Sequence, residues 1–276
     1  MIVSPEKHLN TYAITDPGKQ GRLNEDNYRI TPFERSKKDS TPVLLAVVAD
    51  GVGGHQAGEI ASEIAVEKVE EIIAESEDEE PLWLLKSALL EANHSITSRA
   101  EKEQDKQGMG STITCALIID DALYIASMGD SRIYLIRDGV ITQLTIDHTW
   151  IQEAIDNGII QVEEARNHPR RHLIRSFLGS SDPIKPDLRL QITQGEDEEK
   201  ARANQGLPLI PQDQVLLCTD GLTDLVSDEE ILSQLQNTPH PDQALKSLVE
   251  LANQRGGHDN ITAVLLQHPE EELFIT

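Results

Sequence analysis

The sequence predicts an α+β fold in which antiparallel sheets are covered by helices. Three observations carry that expectation: strand-like runs joined in pairs by tight turns, long amphipathic stretches on either side of them, and no long linker or internal repeat. In chain order, the apolar run PVLLAVVA leads into Asp50 as a strand. The stretch from Ala57 to Ala74 places Ile60, Ala61, Ile64, Ala65, Val69 and Ile72 at helical spacing, and Pro81 opens a second helix striped by Leu82, Leu85, Leu89, Ala92 and Ile96. STITCALII and ALYIAS then form a hairpin around Asp120-Asp121, and SRIYLIR and VITQLT another around Asp138-Gly139.

From Asp147 to Pro186 the chain mixes a short helical stretch at Trp150 with Asn157-Gly158, Asn167-His168-Pro169 and Arg170-Arg171, the pattern of a partly helical flap. Gly195 to Gly206 (GEDEEKARANQG) reads as an exposed loop. The strand DQVLLCT leads into Asp220, and Ser227 with Glu230 forms a capping box. Pro241 starts a helix that Gly256-Gly257 stops, and ITAVLLQ is the final strand. One domain over residues 1–276, with residues 147–186 as its flap, is the expected organisation.

Aspartate and glutamate number 48 against 24 lysine and arginine, a formal charge of -24. Such a chain is repelled by nucleic acid and by anionic membranes, so neither is an expected partner. The acidic runs Glu75 to Glu80, Glu196 to Glu199 and Glu270 to Glu272 read as solvated segments. The two cysteines, Cys115 and Cys218, lie in apolar runs without CxxC spacing, which argues against a disulfide framework. No run has the roughly 20 apolar residues of a membrane helix, and the first residues lack the pattern of a signal peptide, so a cytoplasmic location is expected.

The chemistry is concentrated where strands meet aspartates: Asp50, Asp130 and Asp220 follow apolar runs, and Asp259 precedes one. Carboxylates held together on a rigid sheet repel one another unless a cation lies between them. Carboxylate and carbonyl donors suit magnesium or manganese, whereas zinc would recruit histidine or cysteine and calcium would need the helix-loop-helix spacing. Glycines after Asp50 (Asp50-Gly51-Val52-Gly53-Gly54) are expected to let the backbone turn sharply and bring a carbonyl to an ion. Two ions about 4 Å apart sharing a carboxylate activate water for displacement at phosphorus, which makes phosphoester hydrolysis the expected reaction. Cys-x5-Arg is missing at both cysteines, so a covalent cysteine route is not expected.

Six segments in order resemble a known family: Asn24-Glu25-Asp26, Asp50-Gly51-Val52-Gly53-Gly54-His55, Gly110-Ser111-Thr112, Gly129-Asp130-Ser131-Arg132, Cys218-Thr219-Asp220-Gly221-Leu222-Thr223-Asp224 and Gly257-His258-Asp259-Asn260-Ile261-Thr262. They are similar to the bacterial metal-dependent serine/threonine protein phosphatases (PPM class, type 2C), over roughly Tyr12 to Gln267. The resemblance implies two packed antiparallel-rich sheets flanked by helices, an α-β-β-α sandwich with the metal site at one end. It implies Asp50 as bridge between two Mg2+ or Mn2+ ions, the Gly51 carbonyl as ligand, Asp220 and Asp259 completing the first ion's shell, Glu25 and Asp26 acting through water, and Asp130 on a third ion. Asp50, Asp220 and Asp259 would then be the catalytic set, with Asp224 and Asn260 ordering the ligands.

The resemblance also implies phosphorylated protein substrates, a Ser/Thr kinase system to oppose, and a monomer. One position departs from the family pattern. The phosphate-binding arginine sits four residues before the glutamate of the NED motif, where this chain has Gly21, and Arg22 is one residue nearer. His55 and His258 are the histidines nearest the motifs, with a general acid and a structural role both open for His55. A phosphatase-like binding module and a two-ion phosphodiesterase are the competing functions.

Overall fold

The structure, a computed structural model, describes residues 1–20, 23–52, 57–77, 79–165 and 168–270. In chain order it runs through strands β1 (Ile2–Val3), β2 (Asn10–Asp16), β3 (Asp26–Ser36) and β4 (Asp39–Val52), then helices α1 (Ala57–Glu75) and α2 (Pro81–Lys102). Strands β5 (Gly110–Ser111), β6 (Ile113–Ile119), β7 (Ala122–Met128), β8 (Arg132–Arg137) and β9 (Val140–Gln143) follow. Next come α3 (Trp150–Asp156), α4 (Val162–Ala165), α5 (Glu198–Ala203), β10 (Leu207–Pro208) and β11 (Gln214–Cys218). The chain closes with α6 (Asp220–Thr223), α7 (Asp228–Asn237), α8 (Pro241–Gln254) and β12 (Ile261–Gln267).

Among the described residues the strands make two antiparallel sheets. One has the order β1-β3-β4-β6-β7-β10 with β5 paired to β4, and the other the order β2-β12-β11-β8-β9. The alternation in β4 explains how they stack. Leu44, Ala46 and Val48 point into a layer shared with Ile133, Leu135, Val215, Leu217, Val264 and Leu266 of the second sheet. Val43, Leu45 and Val47 point the other way, onto α1 and α2 through residues such as Ala61, Val69, Leu85 and Leu89. Because β4 is covered on both faces it reads as a continuous apolar run rather than an alternating one. The outer face of the second sheet is covered by α7 and α8, through Ile231, Leu245, Leu248 and Val249 packed on Leu216, Ala263 and Leu265. Two sheets flanked by helices on both outer faces is the expected sandwich. Truncating a fully buried leucine such as Leu45 in such a layer typically costs about 2–5 kcal/mol.

The turns carry the expected chemistry. Asp138 (φ 50°) and Gly139 (φ 76°) both take the left-handed region that a two-residue hairpin requires, and Asp120 (φ 54°) does so between β6 and β7. The Ser227–Glu230 capping box is present in both directions.

Two readings of the acidic runs need correction. Residues 195–206 are not simply an exposed loop: α5 forms there, capped by Asp197 and anchored by buried Ala201, whose carbonyl accepts from Leu190 N at 2.8 Å. Glu80 is more than a solvated acid. Its carboxylate accepts from Leu82 N and Trp83 N and caps α2.

Candidate metal centre

The site lies where β3, β4 and the loops after β7, β11 and α8 meet at one end of the sandwich. Register does the first part of the work, since β3 and β4 pair with Asp26 directly opposite Asp50. Asp50 is held from both sides by the next segment: its amide donates to Thr112 Oγ1 at 3.0 Å, and its carbonyl accepts from Thr112 N at 2.8 Å and from Ser111 Oγ at 3.0 Å. Thr112 Oγ1 also lies 2.7 Å from Ser131 Oγ, joining this segment to the Gly129-Asp130 turn.

A packing constraint also acts at Gly51. The strand does not turn at Asp50 but continues through Val52, and Gly51 is needed because the first turn of α1 crosses close by. A Cβ on Gly51 would stand 2.2 Å from the Gly58 carbonyl oxygen, and one on Gly58 would stand 2.5 Å from Glu25 Oε1. Glu25 is fixed through its backbone, its amide donating to Asn260 Oδ1 at 2.8 Å and its carbonyl accepting from Gly51 N at 3.1 Å. Asn260, in turn, donates to the Pro17 carbonyl at 3.1 Å. Asn260 thus links the Glu25 backbone to the segment at Pro17.

Thr219, which carries no signal of its own in the sequence, ties two strands to the acidic cluster. Its hydroxyl donates to Asp26 Oδ2 at 2.9 Å and accepts from Thr262 N at 3.0 Å. Gly221 follows because the Asn260 carbonyl oxygen sits only 2.0 Å from where a Cβ would be.

A cavity of about 650 Å3 opens on this cluster and is lined by Glu25, Asp50, Gly51, Asp220, Asp259 and residues of the flap. Asp130 lines an adjoining cavity of about 420 Å3 that shares Asp220 and Asp224 with the first. Burial, followed by the charges of Asp26 and Asp220, pushes the Asp50 carboxyl well above the ordinary range. Asp220 is pushed up in the same way by burial and then by Asp130 and Asp224. Burial also raises Asp26 to about 7 despite its threonine donors, and raises Asp130 to about 7 with help from Asp147.

Asp26 Oδ1, Asp130 Oδ1 and Asp220 Oδ1 are buried with no hydrogen-bond partner among the described residues. Buried carboxylate oxygens left without donors, in a group that destabilises its own charge, are what a hard divalent cation would satisfy. The donor set fits magnesium or manganese.

The structure therefore brings Glu25, Asp26, Asp50, Gly51, Asp220 and Asp259 together, with Asp130 beside them. Arg22, Gly21 and His55 lie outside the described residues. His258 is exposed at the cavity rim. The flap contributes a residue that sequence reading did not single out: His172 Nδ1 sits 3.0 Å from Asp224 Oδ2, and His172, Asp220 and Asp224 offer ligand atoms within 4.8 Å of one another.

The flap's root is fixed to the site. His148 N donates to the Gly129 carbonyl at 2.9 Å and Gly129 N donates to His148 Nδ1 at 3.0 Å, which leaves the proton on Nε2 to donate to Asp187 Oδ2 at 3.1 Å. Arg132 grips Asp147 through two nitrogens, Nε to Oδ1 at 3.0 Å and Nη2 to Oδ2 at 2.7 Å.

A family profile described as Protein phosphatase 2C matches residues 18–265. The serine/threonine phosphatase stp of Listeria monocytogenes is 35% identical over 258 residues, covering 92% of this chain and 93% of that protein. The serine/threonine protein phosphatase PstP of Mycobacterium tuberculosis is 40% identical over 225 residues, covering 80% of this chain, and the match spans only 40% of that longer relative. The solved catalytic domain of PstP in complex with two manganese ions superposes with a TM-score of 0.76 at 33% identity, covering 94% of this chain and 97% of that one. The chain belongs to the protein phosphatase 2C family of metal-dependent serine/threonine protein phosphatases.

Proposed function

We propose that the chain hydrolyses phosphoserine and phosphothreonine monoesters in proteins, using a water activated at a binuclear magnesium or manganese centre. The observation that carries this reading is the set of buried carboxyls at the sheet end, three of them with an oxygen that has no donor among the described residues, in a chain similar to a phosphatase solved with two manganese ions. Asp50, the Gly51 carbonyl, Asp220 and Asp259 would hold the two ions, Glu25 and Asp26 would act through water, and Asp130 would hold a third. When bound, the ions supply an acidified water as nucleophile and offset the charge of the phosphate oxygens.

The remaining groups keep this set in place. Thr219 holds one oxygen of Asp26, and the other is buried with no hydrogen-bond partner among the described residues. Thr112 and Ser111 fix the backbone of Asp50, and Asn260 that of Glu25. Both cysteines are poor nucleophiles, since burial pushes Cys218 up to about 12 and Cys115 higher still. Arg22 belongs to this reading as a phosphate contact, with its position outside the described residues.

The partners in this reading are phosphorylated proteins and the kinases that make them, in the cytoplasm, with a monomer as the acting form. The charge of -24 disfavours a phosphodiester of nucleic acid as substrate. Among the described residues no helix is long and apolar enough to cross a membrane. The test is hydrolysis of para-nitrophenyl phosphate and a phosphothreonine peptide with and without manganese. Manganese-dependent cleavage of both is expected, and inactivity of the manganese-loaded protein on both would overturn the reading.

A further inference from the structure

The cavity over the carboxylate cluster has one lysine or arginine among its described lining residues, Arg171 of the flap, and the adjoining cavity shares it. Its neighbours in the sequence are already engaged. Arg175 Nε pairs with Glu153 at 3.1 Å, and the Arg170 guanidinium lies 4.9 Å from the centre of the Trp150 ring. Arg171 is exposed and has no carboxylate partner among the described residues.

The backbone that carries it is nevertheless fixed. Arg171 N donates to the His168 carbonyl at 3.1 Å, and the next residue, His172, contacts Asp224 at 3.0 Å. On the far side, Trp150 N donates to the Leu173 carbonyl at 2.9 Å and Arg175 N to the His148 carbonyl at 2.7 Å. An arginine whose side chain has no carboxylate partner among the described residues is thus carried at the cavity by a backbone held on both sides.

A phosphate monoester approaching this site meets a chain of charge -24 and a wall of carboxylates. Metal ions can neutralise the oxygens that face the cluster, while those facing outward need a donor from the opposite wall. A planar guanidinium supplies two parallel donors to such oxygens, which a lysine cannot do.

We infer that Arg171 is a substrate-binding residue that contacts the phosphoryl group from the flap side of the cavity. The inference rests on the phosphatase reading above and is separate from the role of Arg22.

The experiment compares the wild type with Arg171→Ala, Arg171→Lys and the control Arg170→Ala, all manganese-loaded and checked for an unchanged melting temperature. The readouts are KM and kcat for para-nitrophenyl phosphate and for a phosphothreonine peptide, together with calorimetric binding of inorganic phosphate. For Arg171→Ala, KM for both substrates and Kd for phosphate should rise about tenfold, the size of one charge-assisted hydrogen bond, with kcat changed less than about twofold. Arg171→Lys should fall between the two, and Arg170→Ala should match the wild type.

Unchanged constants in Arg171→Ala would overturn the inference. So would a KM raised for the peptide alone, since Arg171 would then be reading an acidic neighbour in the peptide. If the wild type hydrolyses neither substrate, the phosphatase reading fails, and the phosphate calorimetry still decides the role of Arg171.

Discussion

The sheet end that carries Asp26 and Asp50 and the flap that carries Arg171 and His172 face each other across one cavity, yet they are built by different means. The carboxylates sit on or beside strands whose register is set by layers buried on both faces, and their backbones are held by neighbouring hydroxyls. The flap residues from 168 to 175 are held by a few backbone bonds, an aromatic stack of Trp150 on His168 with centroids 5.1 Å apart, and the His172–Asp224 contact. A rigid wall can hold carboxylates at spacings that burial makes unfavourable. The flap wall is held by backbone bonds and ring contacts instead, and it presents a guanidinium side chain to the cavity. The two walls thus fix their functional groups by different means, strand register on one side and loop contacts on the other.

The sharpest way to break this division is at the rigid wall. Asp50→Asn and Asp220→Asn should each lower kcat/KM with manganese by at least about 100-fold, measured with para-nitrophenyl phosphate, while the fold stays intact by circular dichroism. An unchanged Asp220→Asn would remove Asp220 from the site.

Next in size is Thr219→Val, which takes the donor from Asp26 Oδ2 and the acceptor from Thr262 N. Manganese affinity should fall roughly 10–100-fold, as for other residues that orient ligands, with a loss of about 1–3 kcal/mol in urea unfolding from the unpaired amide. Wild-type manganese affinity in this variant would show that Asp26 needs no support.

At the flap root, Asp187 is held well below the ordinary carboxylate range: burial opposes this, and hydrogen bonds from His148 and Arg189 outweigh it. A carboxyl whose folded value is depressed stabilises the fold above its unfolded value near 3.9, and that stabilisation is lost as pH falls toward the folded value. Asp187→Asn should therefore be less stable than the wild type by about 2 kcal/mol near pH 7, with the gap closing below about pH 4. A gap independent of pH would remove the charge from the account.

The smallest effect lies away from both walls. Ser227→Ala should cost about 1 kcal/mol through loss of the α7 cap and leave kcat/KM unchanged.

Much of the sandwich was legible because its signals are local. Asp138-Gly139 fixes a hairpin by its own backbone preference, and the stripe from Leu82 to Ile96 fixes the buried face of α2. The identity of the acidic residues was legible because they cluster in short segments. Their mutual arrangement was not, since the pairing of Asp26 with Asp50 and the hydroxyl of Thr219 reaching Asp26 join residues far apart in the chain. The packing need for glycine at position 51 was not legible for the same reason: its close neighbour is Gly58, on a helix. Residues 198–203 looked like loop because their composition is charged, and a single buried alanine with an aspartate cap was enough to fold them. The flap's His172 and Arg171 carry a weaker signal, a basic cluster in an acidic chain, which marks a surface but not what it faces.

The claim that the sheet-end carboxylates form a divalent-cation site is tested most directly by titrating manganese into metal-free protein by calorimetry, for the wild type and for Asp50→Asn. The wild type should bind at least two ions per chain, and saturation at about 100 times Kd should add about 2.7 kcal/mol to its stability for each independent site. Asp50→Asn should lose most of that binding. A wild type that binds no manganese, or an Asp50→Asn variant that binds it equally well, would contradict the account.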